Sequence, residues 1–262
     1  MRNDFLAGAR HTLLSDLAGA RLLLAFDYDG VLAPLVTAPG GRAMRPATAR
    51  LLREVARRYP VAVVSGRAWR DLDRLVPGPG LVRVGNHGFE LGRPVSVPRE
   101  VLAQVAEWET DVARRLDGVA GWHVEHKRST LSIHYGMGGD WRSLERKVRA
   151  AGRALHGARL LPGKKVLNVI PSAFPTKGDA VRRLLSRFRL DVALYLGDDR
   201  TDEDVFQIGE PEVVGVRVGA GRSLAPWRLR SQEDVDQVLE RLRVLRPLKR
   251  APWGRAPRRR AP

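Results

Sequence analysis

The sequence has no cysteine in its 262 residues. Disulfides and thiolate metal sites are therefore excluded, which suits a reducing compartment. Lysine is scarce as well, because 40 of the 46 basic residues are arginine; such a preference more often reflects genome composition than recognition. Acidic residues are in the minority, 29 against 46, leaving a net charge of +17. That balance disfavours cationic ligands and favours anionic ones, phosphate esters or nucleic acid, through long-range attraction. No apolar run approaches the roughly 20 residues needed to span a bilayer, and the amino terminus carries no signal-peptide pattern. The expectation is a soluble, cytoplasmic protein with no membrane partner.

What is present is enough apolar material, 44% of the chain, to bury a sizeable core in one large domain or two small ones. Positive charge concentrates at the end: "RPLKRAPWGRAPRRRAP" (246–262) holds seven basic residues, four prolines and no acid. Such a stretch predicts a disordered tail, and without it the body still carries +10.

Short branched-rich runs recur along the chain: "RLLLAFD" (21–27), "PVAVVSG" (60–66), "LVRVGN" (81–86), "VALYLGDD" (192–199) and "EVVGVRV" (212–218). They read as buried parallel strands. Between them lie helix-patterned stretches, "TARLLREVARRY" (48–59), "KGDAVRRLLSRF" (177–188) and "DEDVFQIG" (202–209). The alternation predicts a doubly wound α/β sheet. From about 87 to 172 the rhythm breaks: "PREVLAQVAEWETDVARRL" and "DWRSLERKVRAAGRAL" have helical periodicity, interleaved with strand-like "GWHVEHK", "STLSIHY" and "KKVLNVI". Two helices and about four strands predict an inserted, smaller α+β domain.

Ligands of open parallel sheets bind at the carboxyl ends of the strands. Asp27 and Asp29 stand just past the first strand, in "AFDYDG". Ser65 ends the second in "VVSGR", Lys177 opens a helix in "PTKGDA", and Asp198, Asp199 and Asp202 follow another strand in "YLGDDRTDEDVF". A lone D-x-D-G also suits a polar loop. The whole set has a common chemical logic. A carboxylate attacks phosphorus once metal and fixed cations neutralise the approach of two anions. Carboxylate, carbonyl and water oxygens suit Mg²⁺. A second carboxyl two residues on protonates the leaving oxygen and then activates water. Serine and lysine serve the phosphoryl oxygens.

"DYDGVLAP", "VVSGR", "TKG" and "GDDRTDEDVF" resemble, in order, the four motifs of the haloacid dehalogenase superfamily of phosphatases. With "GNHGFE" and "HY" added, the chain is similar over about 21–220 to the trehalose-6-phosphate phosphatases. The resemblance implies a Rossmann-like catalytic core over 1–86 and 173–245 with an α/β cap, over 87–172, that reads the sugar. It implies Asp27 as nucleophile and Mg²⁺ ligand, Asp29 as general acid/base and carbonyl ligand, Ser65 and Lys177 as phosphoryl holders, and Asp198 as the third metal ligand. Asp202, and less definitely Asp199, would support the metal from behind. Arg67, Asn86 and His87 fall where the family contacts substrate and enters its cap; the plain alternative is loop geometry, and Arg67 and Asn86 are favoured as functional.

Strand alternation predicts that His123, Glu125 and Lys127 share a polar face with Ser132 and His134, opposite Trp122, Val124, Leu131, Ile133 and Tyr135. In the resembled family the E-x-K pair contacts sugar, which marks Glu125 and Lys127, with His134 beside them. His123, His126 and His134 do not make a zinc site, because alternation sends His126 to the other face. The family's "HYR" is "HYG" here, ending in Gly136, and its E-V-R-P-like segment is "LNVIP", with Asn168 and Ile170 in place of a carboxylate and a base. Asn168 can still hydrogen-bond a hydroxyl, without charge assistance.

The implied function is Mg²⁺-dependent hydrolysis of trehalose 6-phosphate to trehalose and phosphate through an aspartyl phosphate. A rival keeps the mechanism with another glycosyl phosphate, of the glucosylglycerol or sucrose type. Another class is a catalytically silent nucleic-acid binder using the basic body and tail, which leaves the spaced acidic motifs unexplained. The implied partners are a small sugar phosphate, nucleic acid only nonspecifically through the tail, and a trehalose-phosphate synthase as a candidate protein partner.

Overall fold

The computed structural model describes residues 3–7, 11–35, 43–136, 140–163 and 165–248. The chain divides into two compact units: one from the described parts of Met1–Arg93, Thr176–Asp198 and Asp202–Pro262, the other from Pro94–Pro175 and Asp199–Thr201.

The first unit begins with β1 (Asn3–Asp4), α1 (His11–Gly19), β2 (Leu22–Phe26), α2 (Pro46–Ala56), β3 (Val61–Val64), α3 (Trp69–Leu75), β4 (Leu81–Gly85) and β5 (Glu90–Leu91). The second unit supplies α4 (Arg99–Arg115), β6 (Trp122–His126), β7 (Leu131–Tyr135), α5 (Trp141–Arg153), β8 (Ala158–Gly163) and β9 (Val166–Pro171). The chain then returns through α6 (Lys177–Phe188), β10 (Val192–Gly197), α7 (Glu203–Phe206), β11 (Val213–Val218), β12 (Trp227–Leu229) and α8 (Glu233–Leu245).

In the first unit eight strands lie in the order β1-β12-β11-β10-β2-β3-β4-β5. All pair in parallel except β4 with β5. A parallel sheet needs both faces covered, so its strands are apolar without interruption. β2 shows this: all five residues are buried, Leu22, Leu24 and Phe26 on one face and Leu23 and Ala25 on the other. The first face packs against α1, α2 and α8 through Leu14, Leu52, Val55, Val238 and Leu242. The second packs against α6 and α7 through Val181, Leu184 and Phe206. Each fully buried Leu or Val contributes roughly 1.5–3 kcal/mol relative to exposure. β2 runs between β10 and β3, which lie on opposite sides of it. The chain reverses direction across the sheet there, and crevices form at such points.

In the second unit four antiparallel strands lie in the order β6-β7-β9-β8. One face packs on α4 and α5: Leu131, Ile133, Tyr135, Leu167 and Val169 meet Val105, Trp108, Val112, Leu144 and Val148, with Trp122 and Val124 against them. This is the apolar face expected from alternation, and β8 is the fourth strand that the sequence pattern left unlocated.

Several expectations need correction. The division between units falls at 93/94 and 175/176 rather than at 86/87 and 172/173. Asn86 and His87 stay with the core because their backbone N–H groups donate to the carbonyls of Arg67 (2.8 Å) and Ser65 (3.0 Å). Phe174 and Pro175 stay with the second unit because Arg159 of β8 donates to both carbonyls. The helix expected over 202–209 shrinks to α7, preceded by a 3₁₀ turn at Arg200–Asp202. Of the tail, 249–262 lies outside the described residues, but Arg246 is packed: its guanidinium sits 4.0 Å from the Tyr59 ring centre and donates to the carbonyls of Ala18 and Ala20. Among the described residues no helix is long and apolar enough to cross a membrane.

Candidate active site

β2 ends at Phe26 and delivers Asp27 to the carboxyl edge of the sheet, where its N–H donates to Leu196 of β10 at 2.9 Å. The next residues turn tightly, with the N–H groups of Leu32 and Ala33 both donating to the Tyr28 carbonyl. Gly30 is required twice over: its φ is +79°, and a Cβ would lie 2.1 Å from Asp198 Oδ2. The glycine of D-x-D-G thus lets the carboxylate from the neighbouring strand approach.

Lys177 opens α6, whose start is set by a capping box between Thr176 and Asp179. It is 2% exposed, and its ammonium donates to Asp27 Oδ2 at 3.0 Å and Asp202 Oδ1 at 2.8 Å. Asp202, fully buried, also accepts from the Tyr195 hydroxyl (2.6 Å) and from the backbone N–H of Asp198 (3.0 Å). Gly197 makes room for it, since a Cβ there would lie 2.5 Å from Asp202 Cγ.

Asp27, Asp198 and Asp202 each offer a carboxylate oxygen, and the three lie within 4.8 Å of one another. Three carboxylates against one ammonium leave a local excess of negative charge. Burial, with Asp202 and Asp198 adding to it, drives the Asp27 carboxyl well above the ordinary carboxylate range, while Lys177 pulls it back. Burial alone would discharge Lys177, but Asp202 and Asp27 outweigh it and raise its pKa, so the ammonium stays charged. An all-oxygen donor set with an excess of negative charge fits a hard divalent cation. Within it both oxygens of Asp202 accept bonds, from Lys177 and Tyr195 on Oδ1 and from the Asp198 N–H on Oδ2. Asp199 is half-buried and stands outside the cluster.

Ser65 follows β3, almost fully buried, with its hydroxyl accepting from Arg67 N–H at 3.2 Å and its own proton left to donate. Arg67 holds both oxygens of Asp29, at 2.7 and 2.6 Å. Asn86 and His87 are buried in a 3₁₀ turn whose φ values are +46° and +57°. The Asn86 amide donates to Glu90 at 2.9 Å, and the His87 ring lies over Gly66, where a Cβ would meet it at 2.5 Å.

In the second unit, Glu125 accepts from His134 Nε2 at 2.9 Å with Lys127 Nζ 3.5 Å away. His134, burial notwithstanding, and then Lys127 hold the Glu125 carboxyl down at about 2. His123 stacks on His134 with ring centres 4.7 Å apart. Asn168 bonds within the sheet: its carbonyl oxygen accepts from Ser132 (2.7 Å) and its NH₂ donates to Leu161 (3.2 Å). Ser132 and Asn168 face each other across β7 and β9, so a buried polar pair satisfies itself.

Sequence reasoning missed Tyr195 and Glu90. The signal for Tyr195 was a phenol inside a fully apolar strand, which needs a partner when buried. Glu90 accepts from the N–H of Trp69 at the start of α3 (2.7 Å) and from Asn86; as a glutamate in the two-residue β5 it carries no local signal.

A model of the trehalose-phosphatase family matches residues 25–233. The chain is similar to an uncharacterised glycosyl hydrolase of Mycobacterium tuberculosis, 34% identical over 246 residues, which cover 86% of this chain and 18% of that protein. It is 35% identical over 249 residues to a trehalose-phosphate phosphatase of Mycobacterium avium, covering 87% of this chain and 60% of the relative. The chain therefore spans less than two thirds of both relatives. Its fold is similar to the C-terminal domain of Candida albicans trehalose-6-phosphate phosphatase, with a TM-score of 0.77 at 22% identity, covering 91% of this chain and 98% of that one.

Proposed function

The chain belongs to the trehalose-phosphatase family, whose model matches residues 25–233, and from that premise we propose that it hydrolyses trehalose 6-phosphate to trehalose and inorganic phosphate. One observation carries the mechanism: Asp27 lies buried with Lys177 3.0 Å from one oxygen, beside Asp198 and Asp202. In this reading the Asp27 carboxylate attacks phosphorus, and Asp29 gives a proton to the departing sugar oxygen. Water, its proton taken by Asp29, then hydrolyses the aspartyl phosphate. Lys177 and the Ser65 hydroxyl hold phosphoryl oxygens; Tyr195 and Asp202 keep Lys177 and Asp198 in place.

Asp27, Asp198 and the Asp29 carbonyl would hold Mg²⁺, which when bound neutralises charge on the phosphoryl group and lets two anions approach. Glu125, Lys127 and His134 would supply charged and polar contacts to sugar hydroxyls. A second reading, another glycosyl phosphate, is favoured by Asn168, whose amide is committed to the sheet. Phosphate release from a sugar-phosphate panel separates the two.

The primary test is steady-state hydrolysis of trehalose 6-phosphate with Mg²⁺ alongside Asp27→Asn. The amide has the same shape and no nucleophilic oxygen, so turnover is expected to vanish while the protein stays folded. Undiminished turnover in the variant rejects the assignment.

A further inference from the structure

We propose that Arg67 is a positioning residue, aiming the Asp29 carboxyl at the ester oxygen that leaves; this rests on the phosphatase reading above. Arg67 Nε donates to Asp29 Oδ2 at 2.7 Å and Nη2 to Oδ1 at 2.6 Å. A guanidinium presents its donors in a rigid planar fork, so two parallel bonds set both the place and the plane of a carboxylate. Among the described residues no other side chain bonds the Asp29 carboxylate.

The fork is itself anchored. Its central carbon sits 5.5 Å from the ring centre of the fully buried Tyr28. The backbone N–H of Arg67 donates to Ser65 Oγ at 3.2 Å, and its carbonyl accepts from Asn86 N–H at 2.8 Å. Buried Glu90 ties the same loop together through Trp69 N–H and the Asn86 amide. Arg67 is thus fastened to the loop that carries Ser65. The two side chains remain 22% and 30% exposed, and ion pairs at such exposure contribute little to stability. Stability does not account for this much preorganisation, whereas aiming a proton donor does.

An Asp27 oxygen bonds to phosphorus, the bond from phosphorus to the ester oxygen breaks, and the departing alkoxide takes the Asp29 proton to leave as the alcohol. In the second half water gives Asp29 a proton as its oxygen bonds to phosphorus and the Asp27–phosphorus bond breaks. While one Asp29 oxygen carries the proton, Arg67 keeps its hold on the other.

The test compares kcat/KM, with Mg²⁺, for trehalose 6-phosphate, whose alkoxide needs that proton, and 4-nitrophenyl phosphate, whose phenolate does not. This ratio covers only the steps up to ester cleavage. Arg67→Met is expected to lose about 10²-fold on the sugar phosphate and less than about 5-fold on the aryl phosphate, because general acid catalysis contributes about 10²–10⁴-fold. Arg67→Lys should recover part of the loss. Asp29→Asn should show the same selectivity, with Arg67→Met adding nothing to it. Equal loss on both esters, or additive loss in the double variant, overturns the proposal and makes Arg67 a phosphate binder or a structural residue. Wild-type protein inert on both esters overturns the phosphatase reading, and the proposal with it; active wild type with equal losses overturns the proposal alone.

Discussion

In the first unit the charged groups that matter are out of water: Lys177, Asp27 and Asp202 are buried and bonded to one another or through Tyr195. In the second, Glu125, Lys127 and His134 form a similar trio in composition, yet the Glu125 side chain is half exposed and its partners stand at the edge of solvent. Carboxylate and ammonium groups therefore sit in two different environments. A buried cluster is strong because desolvation makes each partner indispensable, and its members can change little without loss of the whole. An exposed cluster on a sheet face has weak couplings, which suits recognition: residues there can be exchanged while the sheet beneath stays intact.

That contrast breaks most visibly at the lysine. Lys177→Met strands buried carboxylates without their cation, an expected loss of about 3–5 kcal/mol together with turnover, read by urea unfolding and a phosphate-release assay. Lys127→Met, its counterpart in the second unit, should stay within about 1 kcal/mol of wild type. Equal destabilisation by both would erase the distinction.

Glycines sharpen it further. Gly30→Ala places a methyl 2.1 Å from Asp198 Oδ2 at a φ of +79°, so it should cost about 1–3 kcal/mol and displace a carboxylate of the cluster, with activity falling accordingly. Gly136→Ala meets only the flexible stem of Lys165, at 3.0 Å, and its φ of +101° leaves the backbone strain of about 1–2 kcal/mol without damage to the chemistry. Thermal unfolding and kcat, measured on both variants, separate the two outcomes.

The smallest effect concerns pH. The folded pKa of Glu125 is lowered from 4.5 to about 2. A depressed acid stabilises the fold above its unfolded pKa and loses that contribution as pH falls through the folded one. The stability difference between wild type and Glu125→Gln should be constant above 4.5 and fade between 4.5 and about 2. Its size should stay below about 1 kcal/mol because the pair is exposed. A difference that grows on acidification contradicts the pairing.

Legibility followed burial. β2, β3, β10 and β11 are covered on both faces, so each reads as a continuous branched run, and their ends lie within a residue or two of expectation. α6 is legible to the residue because Thr176 and Asp179 mark its start. β12 has three residues, too few to show a period, and α1 has no acidic residue in its first turn and no basic one in its last to mark its ends. α8 has a readable stripe in Val235, Val238, Leu239 and Leu242, all buried. At the site, residue types picked out Asp27, Lys177, Asp198 and Asp202, which the structure brings together. The internal partners of Arg67, Asn86 and Asn168 were not legible, because each lies on another stretch of chain or has no local signal.

From sequence alone came the chemistry on offer, the order of its motifs and the parity of the second unit's strands, since side-chain type and local periodicity are properties of short segments. Only the tertiary structure decided the pairings: Arg67 with Asp29 across 38 positions, Lys177 with Asp202 across 25. Such pairings depend on which strands lie side by side and in what register, and that is set by packing of the whole sheet rather than by any local stretch.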